Sequence, residues 1–325
     1  MLKKKVNPIT FIKNWAAVIA LVGLTVFFSI AMPTTFATAS NLVTILRSIS
    51  ITATLACSMT IITAVGGFDM ADGQLATVSG FIVMSMIIWY DIPLWLAIPI
   101  CIVGTMLLNS ISMFLIIKCG IPDLLATCAM MFFLEGLGLT YTGGGAISAG
   151  MPLPNGSPSK GAIPTALKAI GNSPTIIIIM LVCVAIVHIF LNYTKYGRFM
   201  YSVGGNKEAA RLSGIPVDKY RFAAGMMSAT FIAIAGILVC ARNQSAQMAG
   251  ATSYSMPSMA AVYIGRSVAG QDKPNALGTL IGATLVGILD NGLIMMSVPY
   301  YSLNTVKGAV LALALAVAYY QKHKK

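Results

Sequence analysis

Four ionisable side chains lie inside long apolar runs: Arg47, Glu135, Asp290 and Lys307. Charge at membrane depth is costly, so such residues pair with one another, relay protons or mark a polar path. Depth along the runs groups them. Arg47 and Glu135 each stand about six residues in from the same end of their runs, ~9 Å at helical rise. Asp290 and Lys307 share a depth in the last two runs. The spacing predicts two clasps facing the bundle interior, Arg47–Glu135 and Asp290–Lys307. A proton relay is the chemical alternative, and snorkelling of Arg47 and Lys307 to the interface is the bland one.

A glycine-rich turn and two asparagines mark a second set. Asp69 and Asp72 follow the paired glycines Gly66 and Gly67 in VGGFDMADG. Paired glycines permit a tight reversal, and Asp69 is placed to cap the next helix or, less simply, to meet a solute. Gly66, Gly67, Asp69, Gly73, Asn109 and Asn291 form the candidate polar path, because amides bind hydroxyls without trapping them. No phosphate-binding loop, zinc-peptidase motif or nucleophile elbow is present, and no two carboxylates share a helical face in the manner of an acid/base pair. Enzymatic chemistry and a resident metal or cofactor are not expected. The six cysteines form no CxxC pair and read as buried free thiols.

These residues are carried by a chain that is 57% hydrophobic and only 9% charged. Soluble domains carry about 25% charge, so the class is a polytopic all-α membrane protein. About ten spans fit, near 15–32, 41–65, 73–90, 94–117, 121–141, 174–193, 223–241, 256–270, 275–297 and 303–320. The spans 73–90 and 256–270 are flanked by polar residues and can be broken or re-entrant, which membranes tolerate only where protein or water covers the backbone. The first run is longer than the h-region of a signal peptide and reads as a retained helix.

The net charge of +12 is distributed by side rather than gathered into a nucleic-acid patch. Six of the 21 basic residues fall in one interior segment, 192–222. An even number of spans puts both termini, Lys118, Lys273 and this segment in the cytoplasm. Segment 142–173, rich in Gly, Pro and Ser, then lies outside as a cap or a passive connector. Within 192–222, Glu208, Ala209, Ala210 and Gly214 predict a short helix and turn offered to a soluble partner. Asn109 and Asn291 also sit in similar surroundings five spans apart, a faint inverted repeat.

Several motifs together resemble the permease subunits of bacterial ABC importers of the ribose/galactose/xylose type, autoinducer-2 permeases included. GGFDMADGQLATVSG is similar to the family's GGIDLSVG segment and TYTGGGAI to its LYTGG turn. GRFMYSVGGNKEAARLSGI resembles its coupling loop, and ALGTLIGATLVGILDNGL its late helix. The resemblance implies a single permease domain over 1–325, with the vitamin B12-transporter-like fold and a second permease copy or paralogue. It also implies cytoplasmic ABC ATPases that consume Mg-ATP, and a periplasmic or lipid-anchored binding protein that delivers a monosaccharide. By that likeness Gly205, Asn206, Glu208, Ala209, Ala210, Leu212 and Gly214 dock into an ATPase groove. Asp290, Glu135, Gly265-Arg266 and Ala71-Asp72 depart from the family pattern. An ion-coupled carrier using Glu135 or Asp290, and a membrane sensor or scaffold binding through 192–222, are the alternatives.

Overall fold

Where each apolar run becomes a helix is set by a few groups at its ends. The computed structural model describes residues 8–266, 268, 273–299, 301–309 and 312, with side chains from residue 15 except that of residue 16. Thr38 starts α2 (Ala39–Ala64) by accepting the Asn41 N–H at 3.3 Å. Pro93 and Pro122 directly precede α4 (Leu94–Ile117) and α5 (Asp123–Thr142). Gly143, at φ +63°, ends α5 in the left-handed conformation that glycine adopts without strain. Asn275 accepts the Gly278 N–H at 2.6 Å and opens α12 (Ala276–Met295).

The remaining elements are α1 (Pro8–Ala31), α3 (Asp72–Ile88), α6 (Thr165–Gly171), α7 (Thr175–Tyr193), α8 (Lys195–Gly205), α9 (Lys207–Leu212), α10 (Val217–Asn243), a 3₁₀ turn at Thr252–Tyr254, α11 (Ser255–Gly265) and α13 at 301–309. Six described helices are long and apolar enough to span: α2, α4, α5, α7, α10 and α12. Ala17–Ala31 and α3 are shorter apolar helices. Of the expected span 256–270, the described part is an eleven-residue helix, α11, about 16 Å long and too short to cross alone, in keeping with a broken or re-entrant span; residues 267, 269 and 270 lie outside the described residues. Most of the expected span 303–320, and both terminal lysine clusters, lie outside the described residues.

Helix α2 is buried from Ile49 to its end and packs on α10, α12 and α7, while α10 also packs on α3 and α4. The outer faces of α4, α5 and α7 expose Leu107, Phe132 and Ile186, which suits lipid or another subunit. Gly278 and Gly282, four apart on α12, meet the backbone of Gly265 and Ala261 on α11 with no room for a side chain. Small residues at that spacing let membrane helices touch backbone to backbone.

Segment 142–173 is folded onto the bundle end. Strand β1 (Ile147–Ser148) pairs antiparallel with β2 (Ser245–Ala246), Gly161 N–H donates to Ile88 O at 2.8 Å, and α6 packs on α10. Cysteines 57, 101, 183 and 240 are buried free thiols as expected, but Cys119 is exposed.

Candidate functional site

At the polar end of the bundle the chain leaves α7 and turns at Thr194, whose hydroxyl accepts the Gly197 N–H at 3.1 Å. Helix α8 then runs amphipathically: Gly197, Met200 and Val203 face the core, and Lys195 and Arg198 face out. Burial pushes the Tyr201 phenol up to about 12, so it remains a donor, and it bonds the Pro274 carbonyl at 2.6 Å. Asn206 breaks the helix and caps the next one, accepting the Ala209 N–H at 3.0 Å. On α9, Ala210 packs inward while Glu208, Ala209, Arg211 and Leu212 are exposed. Leu212 is 89% exposed, an apolar side chain left uncovered by the described residues. Glu208 and Arg211 pair on the surface at 3.3 Å. Gly214, at φ +78°, lets Ile215 N–H bond Ala210 O at 3.0 Å and closes the helix.

This hairpin rests directly on the α2–α3 turn. A methyl on Gly204 would overlap the Ala64 carbonyl oxygen, and Gly66, at φ +69°, faces Gly204 across the contact. Gly205 has open space around it, so the residue that makes the close approach is its neighbour.

From Gly66 the chain runs without regular structure to α3, its donors held by side chains. Phe68 N–H bonds Asp123 Oδ2 at 3.3 Å, Met70 N–H bonds Thr127 Oγ1 at 3.1 Å, and Ala71 N–H bonds Asp69 Oδ1 at 2.8 Å. Asp69 therefore braces the turn one residue before the helix. The other oxygen of Asp123 takes the Arg221 guanidinium at 2.5 Å, an ion pair between the starts of α5 and α10. Asp72, in the first turn of α3, accepts the Ser255 hydroxyl and, at 3.4 Å, that of Ser258, both on α11. Thr77 accepts the Ala251 N–H at 3.2 Å.

Two cavities of mixed polar and apolar lining flank residues 252–257. One, of about 370 Å³, is lined by Gly73, Gln74, Glu135, Thr252, Ser255, Leu139 and several Met side chains. The other, of about 350 Å³, holds Arg242, Ser253, Tyr254, Asp290, Asn291 and Lys307. Thr252, Ser255 and Met256 face the first, while Ser253, Tyr254 and Pro257 face the second.

The structure sorts the sequence-predicted residues unevenly. Lys307 Nζ stands 3.1 Å from Asp290 Oδ1. The Arg47–Glu135 clasp is not formed. Arg47 donates to the Gly171 carbonyl at 3.0 Å and to Asn172 Oδ1 at 3.1 Å, holding α6 to α2. Glu135 is on the exposed side of α5 and lines the first cavity. Equal depth was a poor guide because it fixes height along the helix and not the face presented. Asn109 is also withdrawn from the polar path: it is buried, with Nδ2 bonded to Gly225 O at 2.8 Å, joining α4 to α10. Gly73 lines the first cavity and Asn291 the second, so the two lie on opposite sides of 252–257. Sequence reasoning missed Asp123, Arg221, Gln74, Ser255, Ser258 and Gly204. Of these only the Asp123–Arg221 pair carried a signal, as opposite charges at two helix starts on one side.

Six helices long and apolar enough to span, counted among the described residues, with an irregular turn and a hairpin presented at one end, make this a polytopic all-α membrane protein. The chain belongs to the family described as branched-chain amino acid transport system / permease component, whose model matches residues 41–317. It is 31% identical over 315 residues to the ribose import permease protein RbsC of Haemophilus influenzae, covering 97% of this chain and 96% of that one. The Bacillus subtilis ribose import permease protein RbsC is 31% identical over 292 residues, 90% of this chain and 88% of that one. The xylose transport system permease protein XylH of H. influenzae is 26% identical over 363 residues, covering 94% and 96%. No solved structure matches.

Proposed function

We propose that the chain is the translocation subunit of an ATP-driven importer for a small polar solute, a monosaccharide by likeness to the ribose and xylose permeases. The observation that carries this reading is the α8–α9 hairpin. It is rigidly capped, glycine-seated on the α2–α3 turn, and it ends in an exposed leucine. A solvated orientation loop needs none of those features; a lever gripped by another protein needs all of them. That protein is a cytoplasmic ABC ATPase, which consumes Mg-ATP, since nothing in this sequence provides a nucleotide site.

The reading continues to the assembly. The chain sits in a bacterial inner membrane with its termini and the hairpin in the cytoplasm, and segment 142–173 faces a binding protein outside. Its fold is the ten-helix, vitamin B12-transporter-like arrangement, with α11 as one of the ten. A second permease copy or paralogue covers the exposed face of α5. The test is Leu212→Asp in membranes co-expressing the ATPase. The variant inserts normally but no longer retains the ATPase, and ribose uptake into ATP-loaded proteoliposomes falls to background. Undiminished ATPase retention, or uptake driven by an ion gradient without ATP, overturns the reading.

A further inference from the structure

Two helices start inside the bundle, at one point. α3 begins at Asp72 and α11 at Ser255, and the side chains of those residues are hydrogen-bonded. Helix N-termini carry about half a positive charge each, so a convergence of two makes a ready anion site. Here the protein supplies the acceptor itself. Asp72 is 1% exposed, and its carboxylate takes the Gly73 N–H at 2.7 Å and both serine hydroxyls. The start of α3 beside the first cavity is therefore already capped from within the chain.

What remains on its wall is acidic or neutral. Glu135 lines it, and among the described residues no Lys, Arg or His does. Gln74 lines it as well and is 93% buried, with Oε1 lacking any hydrogen-bond partner. A buried acceptor without a partner costs free energy unless something arrives to donate to it. The volume, about 370 Å³, falls within the range of small-molecule sites.

We propose that this cavity is a charge-selective solute subsite in which Glu135 and Gln74 accept from hydroxyl or ammonium donors and anionic solutes are turned away. The cargo class is then an uncharged polyol or an amino-substituted one, and sugars carrying phosphate or carboxylate are excluded at this point. Identification of the occupant as cargo rests on the importer reading. The electrostatics of the wall do not.

The experiment uses the full chain in membranes with Gln74→Cys, the native-cysteine parent serving as blank. Two methanethiosulfonates of similar size are compared, one bearing trimethylammonium and one sulfonate. Normalised to free cysteine, the cationic reagent is expected to react about tenfold faster, the order of effect one uncompensated carboxylate exerts in a partly dehydrated cavity. Adding Glu135→Gln brings the two rates together. Thr252→Cys on the facing wall gives the same readings should the first variant fold poorly. Equal normalised rates, a preference that survives Glu135→Gln, or no labelling at either position overturns the proposal. No ATPase, binding protein or uptake is involved, so a failed importer reading and a failed subsite give different results.

Discussion

The glycine-on-glycine seat between α8 and the α2–α3 turn allows a sharp test. A Cβ at Gly204 would stand 2.9 Å from Gly66 N and 3.0 Å from the Ala64 carbonyl carbon, and closer still to the Ala64 oxygen. All three atoms are backbone, so no side chain can swing away; α8 must lift by about 1 Å to restore ordinary contact. Overpacking of this kind costs about 1–3 kcal/mol. The fold can absorb that, because Tyr201–Pro274 and the buried face of α8 still hold the hairpin. What Gly204→Ala should damage is transmission. In proteoliposomes with the ATPase and binding protein, ATP hydrolysis is expected to continue while solute moved per ATP drops at least severalfold. Gly205→Ala is the control: nothing lies within 4 Å of its Cβ, so coupling should be unchanged. Normal coupling in Gly204→Ala, or equal damage from Gly205→Ala, refutes the argument that this contact transmits the stroke.

Two further perturbations follow from the ion pairs. Asp123 and Arg221 are partly buried, so Asp123→Asn leaves a guanidinium without its counter-charge and should lower stability by about 1–3 kcal/mol; thermal denaturation in detergent reads this, and the double variant Asp123→Asn/Arg221→Met should be less damaged than the two single losses added together. Lys307→Met is likewise expected to destabilise more than Lys307→Met combined with Asp290→Asn, since the single change strands a carboxylate in the second cavity, and the same melting assay in which the single and double variants coincide would count against the pair.

Class and most of the spans were legible because they depend on composition over 20-residue windows, where lipid imposes one requirement on every residue. The hairpin was legible for a local reason: Asn206 and Gly214 are the residue types that cap and close a short helix, and both do so here. Contacts between distant segments were not. Arg47 faces α6 rather than α5 because residues 165–171 fold as a helix, which a Gly-, Pro- and Ser-rich composition concealed. Gly204 carries no more signal in sequence than Gly205, since what separates them is only the backbone opposite. Asp72 looked like a departure from the family pattern; its partners, Ser255 and Ser258, lie more than 180 positions away.

The link between hairpin and cavity is short, and its construction says how it must behave. The N–H groups of Phe68, Met70 and Ala71 make no helical hydrogen bonds, yet they run into the protein where unsatisfied donors are expensive. Asp123, Thr127 and Asp69 satisfy Phe68, Met70 and Ala71 in turn. Sliding this segment past α5 would break the Asp123 and Thr127 bonds together with nothing to replace them. It therefore moves with the start of α5, and through Arg221 with the start of α10, as one block. Asp72 is the far end of that block and Ser255 is the near end of the wall between the two cavities. A push on α9 delivered through Gly204 thus reaches 252–257 without crossing any loose element, so the cavity beside Gln74 is the first polar space it can reshape.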